Sequence, residues 1–292
     1  MGDVSTAFVK QFGNNIMMLA QQKGSRLRNC VRVKSGIVGE EAYLDQLGKT
    51  SAVKRTTRHM DTPIIDPDHK RRKLFLFDWI SNTLLDKEDE LKMLIDPQSS
   101  YAQNAVWALG RSIDSEILTA ALATAYTGKE GTTPVSFPTS TNQIVDGNTG
   151  LTITKLIQAK TILDNNDIDE DEPRFIAVTA TQLGNLLGTT EVTSSDYNTV
   201  KALVKGEINT FLGFEFKRVS QSMLAVDADD IRSCIAWAQN GLGLGIAADV
   251  KTRISERADK NYSTQVFASL GIGATRLDED RVVQIDCDET PD

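Results

Sequence analysis

The sequence predicts an α+β fold organised around one long helix. Three observations lead there. One unbroken helical stretch opens at Asp96-Pro97 and runs to Gly128, and short alternating or apolar runs flank it without a regular strand–helix repeat. The third is the polar segment from Gly48 to Arg72, which has too few large apolar residues to build a core and must be an extended excursion from a body that can. With 292 residues, 40% of them hydrophobic, the rest of the chain has ample apolar surface for that body.

At the N-terminus, Val4, Phe8, Phe12, Ile16 and Leu19 recur at helical spacing, which marks an amphipathic arm ending near Lys23-Gly24. Asn29 to Gly36 alternates as a strand, and Lys73 to Trp79 is a second strand-like run. Between them lies the excursion, read as a loop or hairpin. In the long helix, Asp96 can cap free N–H groups and Pro97 loses no bond at the first helical position. Val106, Leu109, Ile113, Ile117 and Ala121 form its apolar stripe. At 1.5 Å per residue a span of 97–127 gives roughly 46 Å, long enough to act as a spine.

Gly128 to Gly150 has turn and short-strand chemistry. A helix follows from Leu151, then an acidic run from Asp164 to Glu172, a strand over Arg174 to Thr179 and a short helix over Ala180 to Leu187. Thr189 to Asn198 is polar and read as an exposed loop. Phe211 to Val219 alternates as one strand with Leu212, Phe214 and Phe216 on its greasy face. Strands over Ile231 to Ala238, Tyr262 to Thr275 and Arg281 to Cys287 close the chain.

No motif carries catalytic chemistry. Gly241-Leu-Gly-Leu-Gly245 lacks the third position of a dinucleotide fingerprint and the Lys of a phosphate loop, so it reads as a flexible turn between strands. The aspartates of the acidic run lack the Gly and Glu of a calcium loop and read as a solvated turn. Cys30, Cys234 and Cys287 lie far apart and suggest neither zinc nor disulfides; His59 and His69 have no nucleophile context. No stretch is long and apolar enough to span a bilayer, and the first ten residues lack a signal-peptide pattern. No cofactor is expected.

Charge is distributed unevenly. Residues 1–75 carry 14 Lys+Arg against 7 Asp+Glu, whereas the chain as a whole has a net charge of -8. An acidic body disfavours tight sequence-specific DNA binding. Lys49, Lys54, Arg55, Arg58, Arg71 and Arg72 lack the interleaved aromatics of a base-stacking groove, so their expected counter-charge is the acidic part of a neighbouring copy.

Four stretches, in this order, carry a family resemblance: WISNTLLDKEDELKMLID (79–96), NAVWALGRSIDSEILTAAL (104–122), LDNNDIDEDEPRFIAVTATQLGNLL (163–187) and GEINTFLGFEFKRV (206–219). The chain resembles the major capsid proteins of tailed bacteriophages, of the Hong Kong 97 type, over residues 25–287. The resemblance implies an N-terminal arm (1–29), an extended loop or β-hairpin (30–77), a peripheral domain (78–150 and 251–292) holding the spine helix 97–127, and an axial domain (151–250). It implies a non-enzymatic subunit that self-assembles into hexamers and pentamers of an icosahedral head around double-stranded DNA. Such a subunit is made in the host cytoplasm and ends in the virion.

Axial domains are expected to meet through the loop near Thr189 to Asn198 while each excursion lies across the next copy. Residues expected at these contacts are the six cations named above with Glu88, Asp89, Glu90, Thr193 and Asp196. Because the chain starts directly with its arm, a separate scaffolding protein is an expected partner, as are a portal and a decoration protein; no membrane is involved. Lys49 or Lys54 could serve a covalent cross-link, but no partner Asn is marked and none is predicted. Two other readings stay open. A cellular encapsulin-like shell would be separated by genome context or by the contents of purified particles, and a soluble enzyme with an unrecognised site by sedimentation as a small stable species.

Overall fold

The computed structural model describes residues 21–62, 64–86, 98–188 and 209–290. In chain order the first elements are β1 (Arg32–Ser35), β2 (Glu41–Leu47), β3 (His69–Phe75), β4 (Phe77–Leu85), the spine α1 (Gln98–Leu122), β5 (Ala125–Thr127), β6 (Thr133–Val135), the short α2 (Thr139–Asn142) and β7 (Gln143–Ile144). There follow α3 (Ile153–Asn165), β8 (Arg174–Val178), α4 (Ala180–Gly188), β9 (Thr210–Phe211), β10 (Phe214–Arg218), β11 (Ile231–Ala238), β12 (Leu242–Arg257), β13 (Ser263–Arg276) and β14 (Val282–Asp288). The strands form three sheets, ordered β1-β12-β13-β4, β7-β14-β11-β8-β10-β9 and β2-β3-β5-β6.

The chain divides into two compact units. The smaller comprises Met1–Ser25, Asp78–Ser112 and Ala248–Gly271. In it Gly110 allows the backbone at Gly24 to lie against the spine, since a Cβ there would fall 2.6 Å from Gly24 Cα. Arg111 donates to the Gln21 side chain and the Gln22 carbonyl, and Lys23 sits over the Trp107 ring. Side-chain hydrogen bonds from Gln265 to Asn82 and from Ser263 to Asp86 tie β13 to β4 and the residue after it.

The larger unit comprises Arg26–Phe77, Ile113–Ala247 and Ile272–Asp292. Its centre is the six-stranded sheet, where all of β8 is buried and β11 is buried from Cys234 to Ala238. Strands enclosed on both faces read as continuous apolar runs, which is why both were visible in the sequence. Lys155 of α3 is buried and donates to the carbonyls of Thr149, Gly150 and Asp286, and burial lowers its pKa. Asp114, fully buried on the spine, accepts the backbone N–H groups of Arg26 and Leu27 and so fixes the chain where it enters this unit. Trp237 holds the next turn through the Cys30 carbonyl.

Four sequence expectations are corrected. The spine ends at Leu122 rather than Gly128. The buried Arg276 guanidinium donates to the carbonyls of Ala121 and Ala123, which satisfies C-terminal groups a longer helix would use internally. Tyr126 and Thr127 then pair with Lys73 and Arg72 as β5. Lys73 to Trp79 is not one strand but the end of β3 and the start of β4, separated at Leu76. Phe211 to Val219 is likewise two strands, because Leu212 (φ 52°) and Gly213 (φ 85°) make a tight turn that pairs Phe211 with Phe214. Gly243 and Gly245 lie inside β12 and not in a turn. Leu242, Leu244 and Ile246 are buried on one face, while Leu44, Leu74 and Leu277 reach onto the glycines of the other. The N-terminal amphipathic arm over 4–19 and the Asp96-Pro97 cap fall outside the described residues.

Candidate inter-subunit surface

The polar excursion is rooted in a two-stranded ribbon. β2 and β3 pair antiparallel from Glu41↔Phe75 to Leu47↔His69, and Gly48 N–H donates to the Asp68 carbonyl at 2.7 Å to close it. Alternation then gives the two faces different tasks. On one face Ala42, Arg72 and Leu74 are buried, and Gln46 donates to the Leu277 carbonyl. On the other, Asp45 accepts from Arg71 at 2.6 Å, Lys73 pairs with Glu41 at 2.5 Å, and Arg71 lies over the Tyr43 ring. The Arg71 guanidinium holds the Asp45 carboxyl below the usual range, and Glu41 raises the Lys73 ammonium. The exposed Asp45–Arg71 pair sets strand register more than it adds stability.

Past Gly48 and Asp68 the limbs part, and no backbone hydrogen bond joins them among the described residues. The limb 48–60 carries Lys49, Lys54, Arg55 and Arg58 with no acid, while 61–68 carries Asp61, Asp66 and Asp68 with no Lys or Arg. Val53, Ile64 and Ile65 are exposed, Ile64 at 87%. A stretch of this length with open backbone and exposed apolar side chains lacks an interior of its own.

The six expected cations divide in their surroundings. Lys54, Arg55 and Arg58 are exposed on the tip, where Arg55 Nε donates to the nearby Thr57 carbonyl. Lys49 meets Asp167 of the same chain's acidic run at 3.0 Å, in a pair about four-fifths exposed (78% and 82%). Arg71 is taken by Asp45. Arg72 is only 4% exposed: Nε donates to the Leu277 carbonyl and Nη2 to both oxygens of Glu279. It braces the ribbon's root on the body. The strand period held the signal, since Arg72 shares parity with Leu74. Glu88, Asp89, Glu90, Thr193 and Asp196 lie outside the described residues.

In the acidic run, Asp164 and Glu172 are held by Arg174 and Arg281, and Glu172 also accepts from Asn240 N–H. Among the described residues no group of three or more His, Cys, Asp or Glu is placed to hold a metal ion, and no helix is long and apolar enough to cross a membrane. Cys30, Cys234 and Cys287 are buried free thiols. Burial pushes Cys30 up to about 11, and Cys234 is raised by its contact with Cys287 and by burial.

A family model described as phage capsid protein matches residues 4–289. The chain belongs to the phage capsid protein family. No curated protein matches it. Among solved structures, the capsid subunit is similar to the capsid of cyanophage P-SCSP1u, with 18% identity and a TM-score of 0.70 over 97% of this chain and 93% of that one. It is similar to the cyanophage Pam1 capsid at 14% identity and TM-score 0.70, with all of both chains covered. The acid-stable capsid of Helicobacter pylori bacteriophage KHP30 matches at 10% identity and TM-score 0.72, over 96% and 95%. At such identities the likeness shows the fold, which is the Hong Kong 97 type expected from the four sequence stretches. The subunit is a structural protein of the phage head and a component of the virion, and its family is not one of enzymes.

Proposed function

We propose that the capsid subunit forms hexamers and pentamers of an icosahedral head around double-stranded DNA, with each ribbon tip lying across the neighbouring copy. The observation that carries this reading is the tip from Gly48 to Asp68, whose limbs are open, charged with opposite sign and studded with exposed Val53, Ile64 and Ile65. Repeated around a ring, the same contact orders every tip while the root braced by Arg72 stays fixed. The proposed arm is 1–29, the loop 30–77, the peripheral domain 78–150 with 251–292, and the axial domain 151–250. Lys54, Arg55 and Arg58 are the proposed charged contacts of the tip, and the loop near Thr193 and Asp196 the proposed axial contact.

Assembly takes place in the host cytoplasm with a separate scaffolding protein, a portal and a decoration protein as partners. Packaged DNA lies beside a chain whose residues after 75 are predominantly acidic, which favours sliding over sticking. Maturation is a rigid-body rearrangement in which the arm and the tip of the excursion are the mobile parts.

Removing Thr50 to Asp68 and closing the ribbon with Asn-Gly tests the overlap. The variant is expected to keep the circular dichroism and melting transition of the subunit but to sediment as small species, with no closed particles in electron micrographs. Closed particles in normal yield would overturn the overlap.

A further inference from the structure

The turn between β11 and β12 holds the chain's only Asn–Gly step, Asn240-Gly241. It is a single 3-10 turn, Gln239–Gly241, and Asn240 is exposed. The Asn240 backbone N–H donates to Glu172 Oε1 at 2.8 Å, while among the described residues no hydrogen bond fixes its side-chain amide. Asparagine amides are thermolabile because the next backbone nitrogen can attack them, and only glycine brings that nitrogen without a side chain in the way. Every other asparagine precedes a residue that carries a side chain. A lone 3-10 turn has poorer hydrogen bonds than an α-helix, so its backbone opens at little cost.

The length of this turn is fixed from both sides. Upstream, Gln239 N–H donates to the Pro173 carbonyl at 3.0 Å, next to the Asn240 bond to Glu172. Downstream, the Gly241 carbonyl accepts Leu277 N–H at 2.8 Å and Asp278 N–H at 3.4 Å. Gly241 is buried, and a Cβ on it would fall 2.8 Å from Arg281 Cβ. A single peptide link therefore joins two anchored ends with no slack.

We propose that Asn240 is a self-modification site at which the assembled head ages. The Gly241 nitrogen bonds to Asn240 Cγ and gives up its proton, the amide nitrogen leaves as ammonia, and water opens the resulting succinimide. The sum is amide plus water to acid plus ammonia, with no oxidant, reductant or cofactor. Opening at the main-chain carbonyl leaves isoaspartate, whose main chain runs through the former side chain and is one atom longer. That extra atom cannot be housed while both sets of anchors hold, so the turn must release either Glu172 and Pro173 or Leu277 and Asp278. The modification loosens the subunit where β11 passes into β12.

Particles held in mildly alkaline buffer, then digested and mapped by mass spectrometry, test the assignment. Asn240 should turn to acid at least about tenfold faster than the exposed Asn148 and Asn261, which precede Thr149 and Tyr262, with isoaspartate as the main product. Subunits dissociated from aged particles should melt at a lower temperature than fresh ones. Freshly prepared Asn240→Asp brings the charge without the extra atom and should melt like the fresh wild type, while Asn240→Ser should escape the ageing. An Asn240 amide that survives as long as those of Asn148 and Asn261 would overturn the proposal. So would isoaspartate that leaves the melting unchanged, or fresh Asn240→Asp melting as low as the aged chain, since charge alone would then account for the loosening.

Discussion

Arg276→Met is expected to cost the isolated subunit about 3–5 kcal/mol, the range for stranding buried polar partners. Arg276 is fully buried on β13 and donates to the carbonyls of Ala121 (2.8 Å), Ala123 (2.7 Å) and Val135 (3.0 Å), with its plane over the Phe137 ring. Methionine fills much of the volume but leaves three acceptors dry, two of them at the end of the spine. Lysine cannot replace the fork, because one ammonium does not present donors in three fixed directions. Burial lowers the Arg276 pKa, yet a guanidinium stays charged, so the loss should vary little between pH 6 and pH 9. Urea denaturation of the subunit measures it. A methionine variant within about 1 kcal/mol of wild type would show that the helix end finds other donors.

Gly273→Ala should be comparably severe, at least about 3 kcal/mol, for a steric reason. An added Cβ would overlap the Phe75 carbonyl oxygen and come within 3.3 Å of Leu74 Cδ2. Both neighbours belong to the ribbon's root, and the closest is backbone, so relief requires moving β3 itself. Gly184→Ala is the matched control. That glycine lies in α4 with nothing within 4 Å of an added Cβ, and alanine there should stabilise by about 0.5–1 kcal/mol. Equal behaviour of the two variants in the same denaturation experiment would remove the steric argument.

Much of this architecture was legible in residue order. β8 and β11 are runs too apolar to lie anywhere but inside, and the spine announces itself through Leu109, Ile113, Ile117 and Ala121, all buried. What was not legible depends on groups distant in sequence. Nothing near Leu122 ends a helix; its stop is supplied by Arg276, more than 150 residues away. The glycines of β12 look like a turn until Leu44, Leu74 and Leu277 are seen to lean on them.

The candidate surface divides the same way. Its basic residues were read as one patch, because composition does not register strand parity. Parity turns Arg72 inward to Glu279 and Arg71 outward to Asp45. Nor did the basic total of the excursion reveal that its cations and acids sit on separate limbs, although the order of residues from Lys49 to Asp68 states it.

A reconstruction of particles assembled from the full-length chain, at a resolution that traces the main chain, tests the central claim most directly. Every ribbon tip should be seen resting on a different copy from the one that bears its root. Particles in which residues 48–68 touch only their own subunit would contradict it.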